Sequence, residues 1–354
     1  MKKTYRTVLV GLTGIGARRP VDPEGIPLYG PMPPSHASAY HQHPQTELVG
    51  VCDLRPEALD TFQTDWQDVW PEAGVYTDFG EMLREQTPDI VSIATSDHAH
   101  AELCVQAAES GVRAILCEKP IATTLADADR MIEACERHGV PLSIEHTRRW
   151  DPCFLEARRI LRAGDLGPVR TIVVEMFSQR AMLFRNGTHL IDLIPFFADT
   201  DARWLVADLE DGFENYSAYS GDGGRDPDLE PYASAYLRFE DGVRAFYNSY
   251  KTEFPGSQVT ITCEAGRLEV SDRGGRVIRG DSHSSWSASE LQTGSYLYER
   301  QLAAVHELIQ VLENPGAELV SSGREARRTL EIILAMLASH TGGNVRINLP
   351  LASA

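Results

Sequence analysis

Five short runs of almost uninterrupted apolar residues, at 7–10, 47–52, 90–94, 114–117 and 142–144, constrain the chain more than any other feature. Runs of this kind are strands buried on both faces of a parallel sheet. Between them, 101–110 and 125–138 carry apolar residues at the three- and four-residue spacing of helices. Thr124 and Asp127 form a capping pair that opens the second of these. Strand and helix in alternation specify a doubly wound α/β Rossmann domain over residues 1–146.

The pattern then changes. Segments 171–177, 233–239, 243–250, 258–263 and 267–270 read as strands with no helices between them, several joined by Asp-Gly or Ala-Gly turns. Residues 147–354 are therefore expected to form a second, α+β domain with a large, mainly antiparallel open sheet and flanking helices, the helices at 295–313 and 324–339. Segments 221–227 and 281–289 read as loops. At 354 residues the chain has room for two domains.

The 33 lysines and arginines against 51 aspartates and glutamates leave a net charge of −18. That field repels phosphate backbones and anionic lipid, so neither nucleic acid nor membrane is an expected partner. The apolar stretch after Arg6 is too short for a signal peptide, and no run approaches a bilayer span. The six cysteines contain no C-x-x-C pair. They read as reduced core thiols in a cytoplasmic protein, with no structural metal. His36, His41 and His43 lack supporting carboxylates and read as a solvated helix face.

Val8-Leu9-Val10-Gly11-Leu12-Thr13-Gly14-Ile15-Gly16 runs a strand into a glycine-rich turn. The dinucleotide fingerprint places glycines at the first, third and sixth positions, and here the third is Thr13. Asp53 ends the next strand, where a carboxylate holds both ribose hydroxyls and repels a 2′-phosphate. NAD is the expected cofactor, with Arg55 keeping NADP open. Asp53 follows Gly16 by 37 residues, against about 20 in the usual unit. The excess is a proline-rich insertion at 17–34, either a cap over a ligand or a solvated loop, with a helix starting near His36.

Cys117-Glu118-Lys119-Pro120 follows the fifth run directly, placing a lysine where open α/β sheets bind ligands. Here the chain resembles the Gfo/Idh/MocA oxidoreductases, the family of glucose–fructose oxidoreductase and inositol dehydrogenase. The likeness extends through Thr95-Ser96-Asp97-His98-Ala99-His100, Arg148-Arg149-Trp150-Asp151-Pro152, Gly164-Asp165-Leu166-Gly167-Pro168-Val169, Gly187-Thr188-His189-Leu190-Ile191-Asp192 and Val345-Arg346-Ile347-Asn348-Leu349-Pro350.

The resemblance implies a hydride transfer between a nicotinamide cofactor and a sugar, sugar acid or cyclic polyol, in a homodimer or homotetramer. It makes Lys119 the hydroxyl-polarising group and His189 the proton acceptor. Gly11, Thr13, Gly14, Ile15, Gly16, Asp53, Thr95, Ser96, His100, Glu118, Lys119, Arg149 and Trp150 would line the dinucleotide. His146, Arg149, Arg185 and Asp192 would join Lys119 on the substrate. Many relatives carry aspartate four residues before the histidine, where this chain has Arg185. Either His189 works without that carboxylate, or Asp192 or Glu145 replaces it. An arginine there also suits a substrate with an acidic group. Two alternatives follow from the same family: a sugar lyase or glycosidase that retains NAD with no net redox change, and a dinucleotide-binding regulator without turnover. Pro195 is expected to interrupt the helix after His189.

Overall fold

The computed structural model describes residues 3–19, 35–222, 224–282, 284–314 and 316–351; most of the insertion, at 20–34, therefore lies outside the described residues. The strands are β1 (Tyr5–Val10), β2 (Thr46–Cys52), β3 (Gly74–Tyr76), β4 (Ile90–Ile93), β5 (Ala114–Cys117), β6 (Leu142–Ile144), β7 (Val169–Phe177), β8 (Ala202–Leu209), β9 (Ala233–Phe239), β10 (Arg244–Tyr250), β11 (Gly256–Cys263), β12 (Gly266–Ser271), β13 (Gly274–Ser282), β14 (Ser285–Glu290) and β15 (Ile347–Asn348). The helices are α1 (His36–Gln42), α2 (Pro56–Trp66), α3 (Phe79–Gln86), α4 (His100–Glu109), α5 (Leu125–His138), α6 (Pro152–Ala163), α7 (Thr188–Ile191), α8 (Leu193–Ala198), α9 (Arg300–Glu313) and α10 (Gly323–Thr341).

The chain divides into two compact units. The first comprises Met1–Trp150, Gly221–Gly223 and Leu297–Ala326. Its sheet runs β3-β2-β1-β4-β5-β6, every pairing parallel, with the order reversing beside β1 as in a doubly wound fold. The apolar runs do become strands buried on both faces: β4 and β5 are buried at every position. Thr124 Oγ1 accepts from the Asp127 N–H at 3.1 Å and starts α5 as its sequence implies.

The expected boundary between 146 and 147 needs correction. Residues 147–150 stay with the first unit, and α9 returns to it from late in the chain. The reason is apolar burial: Leu302, Val305, Leu308 and Ile309 of α9 share one core with Tyr5, Leu9, Tyr40 and Trp150. A sequence reading by position alone cannot see a helix that completes a core 300 residues upstream.

The second unit comprises Asp151–Ser220, Gly224–Tyr296 and Arg327–Ala354. Its nine-stranded sheet runs β14-β13-β12-β11-β7-β10-β9-β8-β15. All pairings are antiparallel except β7 with β10. Four strands, β8, β13, β14 and β15, are additional to the sequence reading, and 281–289 is mostly strand rather than loop. β14 is exposed at every position, so it lacks the apolar alternation that betrays a strand. The helix after His189 is interrupted as expected: α7 ends at Ile191 and α8 starts at Leu193, and Pro195, in the first turn of α8, has no N–H to offer the Ile191 carbonyl. Among the described residues no helix is long and apolar enough to cross a membrane.

Candidate functional site

The turn after β1 is built for close approach. Gly11 has φ +88°, and a Cβ there would lie 2.4 Å from the Ala94 carbonyl oxygen. A Cβ on Gly16 would lie 2.0 Å from the Gly11 carbonyl oxygen. Neither position admits a side chain, which is the cradle a pyrophosphate requires. Thr13, in the place of the middle glycine, turns its side chain outward and is exposed, as is Ile15.

Asp53 leaves the end of β2 with its Oδ2 accepting from the Leu12 N–H at 2.9 Å. Its Oδ1 accepts from the Arg55 N–H at 3.0 Å and from the Arg55 guanidinium at 3.1 Å. Burial alone would raise this carboxyl. The Arg55 side chain and the two backbone N–H groups outweigh it and hold Asp53 below the ordinary carboxylate range. The same guanidinium lies 3.4 Å from Thr13 Oγ1. These glycines and an ionised acid fit an adenosine ribose and a pyrophosphate; they are the residues that would hold NAD.

The loop after β4 carries Thr95 and Ser96, both half-buried. Ser96 Oγ donates to the Asp222 carbonyl at 3.1 Å, and the His98 N–H to that of Gly221 at 3.1 Å. That is why 221 and 222 belong with the first unit. His100 departs from the expected role: it is fully buried, with Nδ1 3.0 Å from the Pro120 carbonyl and Nε2 3.3 Å from that of Thr95. It stands behind the loop and not on its surface.

Glu118 and Lys119 follow β5, and the Lys119–Pro120 peptide is cis. Lys119 is 9% exposed. Glu118 Oε1 lies 3.1 Å from His36 Nε2, and its Oε2 accepts the Lys119 N–H at 3.3 Å. His36 Nδ1 lies 3.0 Å from Ser92 Oγ, which is 2.6 Å from the Tyr40 hydroxyl. Burial pushes Glu118 up, but His36, Lys119 and His100 together keep it below its usual value. His36 and His43, expected on a solvated face, are buried. The signal was present in His36-Ala37-Ser38-Ala39-Tyr40, where small residues flank the ring and admit close packing on the sheet.

Glu145, 1% exposed at the end of β6, shares this interior. Burial first, then the charges of Glu118 and Glu307, push its carboxyl well above its ordinary value. Glu307 on α9 is pushed up to about 7 by burial, against the Val320 N–H, the Trp150 indole and Arg149.

Three substrate contacts expected from sequence need correction. His146, Arg149 and Asp192 are 1%, 0% and 0% exposed. Arg149 donates to the Val320 carbonyl at 2.7 Å and lies 3.3 Å from Glu325. Asp192 accepts from Thr329 Oγ1 on α10 at 2.8 Å. Trp150, expected on the dinucleotide, is a core side chain. Asp192 and Glu145, both buried, are therefore poor replacements for the carboxylate whose position Arg185 occupies.

In the second unit, Leu183–Gly187 forms a π-helical turn that leads directly into α7. It is pinned from outside: Glu230 Oε1 accepts the N–H groups of Phe184 and Arg185, the latter at 3.0 Å. Asn186 Nδ2 donates to the Arg180 carbonyl at 2.6 Å. His189, on α7, is half-buried. Arg180 is depressed below the usual arginine value by partial burial and by the charges of Arg185 and Arg225, with Glu230 opposing. Arg185 and Arg225 are thus near enough to Arg180 for its guanidinium to feel their charge. No cluster of His, Cys, Asp and Glu suited to a metal occurs among the described residues.

Comparison with known proteins agrees with this architecture. Residues 29–146 match the family described as "Oxidoreductase family, NAD-binding Rossmann fold". D-apiose dehydrogenase of Paraburkholderia graminis is 30% identical over 341 residues, covering 87% of this chain and 85% of that one. Aldose–aldose oxidoreductase from Caulobacter crescentus, solved with glycerol, superposes with a TM-score of 0.77 at 19% identity, over 98% of this chain and all of the other. The WlbA dehydrogenase from Bordetella pertussis, solved with NADH and UDP-GlcNAcA, gives 0.73 at 21% identity, over 99% of this chain and all of the other. The glycine cradle, the acid at the end of β2, the two-unit fold and these matches converge: the chain belongs to the Gfo/Idh/MocA family of oxidoreductases, with an NAD-binding Rossmann domain.

Proposed function

We propose that this dehydrogenase oxidises a carbinol carbon of a sugar-type substrate, using Lys119 to polarise the hydroxyl and His189 to take its proton. The observation that carries the reading is Lys119 itself: just past the carboxyl end of β5, an interior strand of the parallel sheet, nearly buried and directly after the Glu118 carboxylate. A lysine in that setting donates to a substrate oxygen and favours the developing alkoxide. Bound NAD supplies the hydride acceptor. Gly11, Gly16 and Asp53 would hold it, with Thr95 and Ser96 supplying the adjoining wall. The sugar-type substrate is supported by the D-apiose dehydrogenase relative. Formation of NADH in a screen of sugars, sugar acids and polyols tests the function; no NADH from any of them would refute it.

An acidic group on the substrate is favoured by a second observation. Arg180, Arg185 and Arg225 bring like charges together in a chain of net charge −18. Guanidiniums grip a carboxylate through paired hydrogen bonds. Self-association as a homodimer or homotetramer is part of the same reading. It is supported by the exposed face of β10, where Phe246 and Tyr250 alternate with buried neighbours. Cytoplasmic location is supported by six free cysteines.

A further inference from the structure

We propose that His36 and His100 are positioning residues that clamp the Glu118-Lys119-Pro120 segment from its two sides, fixing the ammonium group of Lys119. The inference rests on the reading that Lys119 polarises the substrate. Lys119 carries a long, flexible side chain whose use as an acid–base group depends on where its backbone is held. Both of its neighbours are held by imidazoles that have no exposed surface.

On one side His36, the first residue of α1, reaches Glu118 with Nε2 at 3.1 Å. A carboxylate oxygen only accepts, so Nε2 carries the proton in this contact. Nδ1 faces Ser92 Oγ at 3.0 Å, and Ser92 faces Tyr40 at 2.6 Å. One hydroxyl proton from each satisfies a directed chain, Tyr40 to Ser92 to His36 to Glu118. The ring is thereby locked in one tautomer and orientation, and Glu118 is kept charged beside Lys119. On the other side His100, the first residue of α4, reaches the Pro120 carbonyl with Nδ1 at 3.0 Å. A carbonyl only accepts and a neutral imidazole has one N–H, so the shorter contact, from Nδ1 to Pro120, takes the proton, and Nε2 lies 3.3 Å from the Thr95 carbonyl without one. Neither histidine has a surface on which to meet a ligand, so any effect on chemistry passes through the segment they hold.

The two contacts use different ring nitrogens, and that gives the test its resolving power. A glutamine amide nitrogen reproduces the position of Nε2, and an asparagine amide nitrogen that of Nδ1. His36→Gln is therefore expected to retain kcat within about threefold, while His36→Asn loses 10- to 100-fold. The order reverses at the other site: His100→Asn retains activity and His100→Gln loses it. NAD affinity, measured by fluorescence titration, is expected to change by less than threefold in all four proteins. A purely structural role would follow side-chain volume and give the same order of Asn and Gln at both sites, which would overturn the proposal. So would unchanged kcat in all four. Thermal unfolding of each variant identifies any that does not fold; if His36→Gln or His100→Asn is among them, the clamp is also refuted, because the donor alone then does not suffice. Lys119→Ala is measured in parallel. If it keeps full activity, the role given to Lys119 fails; if it is inactive while the histidine series shows no reversal, the clamp alone fails.

Discussion

Glu307 offers the sharpest quantitative test of the buried acid cluster. Its carboxyl titrates near 7, against an ordinary value of 4.5. The displacement corresponds to about 3 kcal/mol of differential stability between its two protonation states. The sign follows from proton counting. Between pH 4.5 and 7 the folded chain holds a proton on Glu307 that the unfolded chain has lost, so stability falls as pH rises through that window. Below it the contribution is constant; above it the full penalty applies. Glu307→Gln removes the titration and retains a carbonyl oxygen to accept the Val320 N–H, a contact of 3.2 Å in the wild type. Urea unfolding of both proteins at pH 5, 6, 7 and 8, followed by the fluorescence of the tryptophans, is the assay. Every other titrating group is present in both proteins, and their difference reports Glu307 together with the relief of Glu145, which no longer meets its charge. The variant is expected to gain about 2–3 kcal/mol over the wild type between pH 5 and 8. Parallel stability curves, or a gap that widens toward acid, would refute the assignment.

Lys119→Ala is expected to lower kcat by about 10²–10⁴ with NAD binding unchanged; turnover near the wild-type rate excludes it as the polarising group. Asp53→Ala should raise the Michaelis constant for NAD and improve the relative use of NADP, whereas a wild type that already strongly prefers NADP would show that Arg55 governs the choice. Arg185→Gln, and independently Arg180→Gln, should each erode a preference in kcat/KM for acidic over neutral sugars by about tenfold. An absent or unaltered preference sinks the anionic-substrate reading.

The first unit was largely legible because its strands are buried on both faces: continuous apolar runs mark β1, β2, β4, β5 and β6 within a few residues. β3 escaped because Gly74–Tyr76 is only three residues long and half-buried. β14 escaped for the opposite reason, having no buried face at all. In the site, residues tied to backbone geometry were readable. Gly11, Gly16 and Asp53 occupy positions that a turn and a strand end dictate. Arg149, Trp150 and Asp192 were misjudged because burial depends on what packs above them, namely α9 and α10, whose place is set by tertiary contacts far along the chain. Glu307 was invisible for the same reason. Its neighbours on α9 read as an ordinary amphipathic helix, and nothing local reveals that this carboxyl turns toward Trp150 and the buried acids.

Two departures from the usual dinucleotide turn explain each other. Replacing the middle glycine by Thr13 adds a hydroxyl at the turn, and Arg55 lies 3.4 Å from it while gripping Asp53 at 3.1 Å. A lone aspartate at this strand end selects NAD by attraction to the diol and repulsion of a 2′-phosphate. Here the guanidinium cancels part of that repulsion, because an opposite charge at hydrogen-bond distance neutralises the field a phosphate would meet. The carboxylate still accepts from hydroxyls, since the same arginine keeps it ionised. Being half exposed, the Arg55 side chain is free to swing away from Asp53 when a diol claims its oxygens. The threonine gives the displaced guanidinium a second anchor and keeps it over the turn, where the pyrophosphate charge would fall.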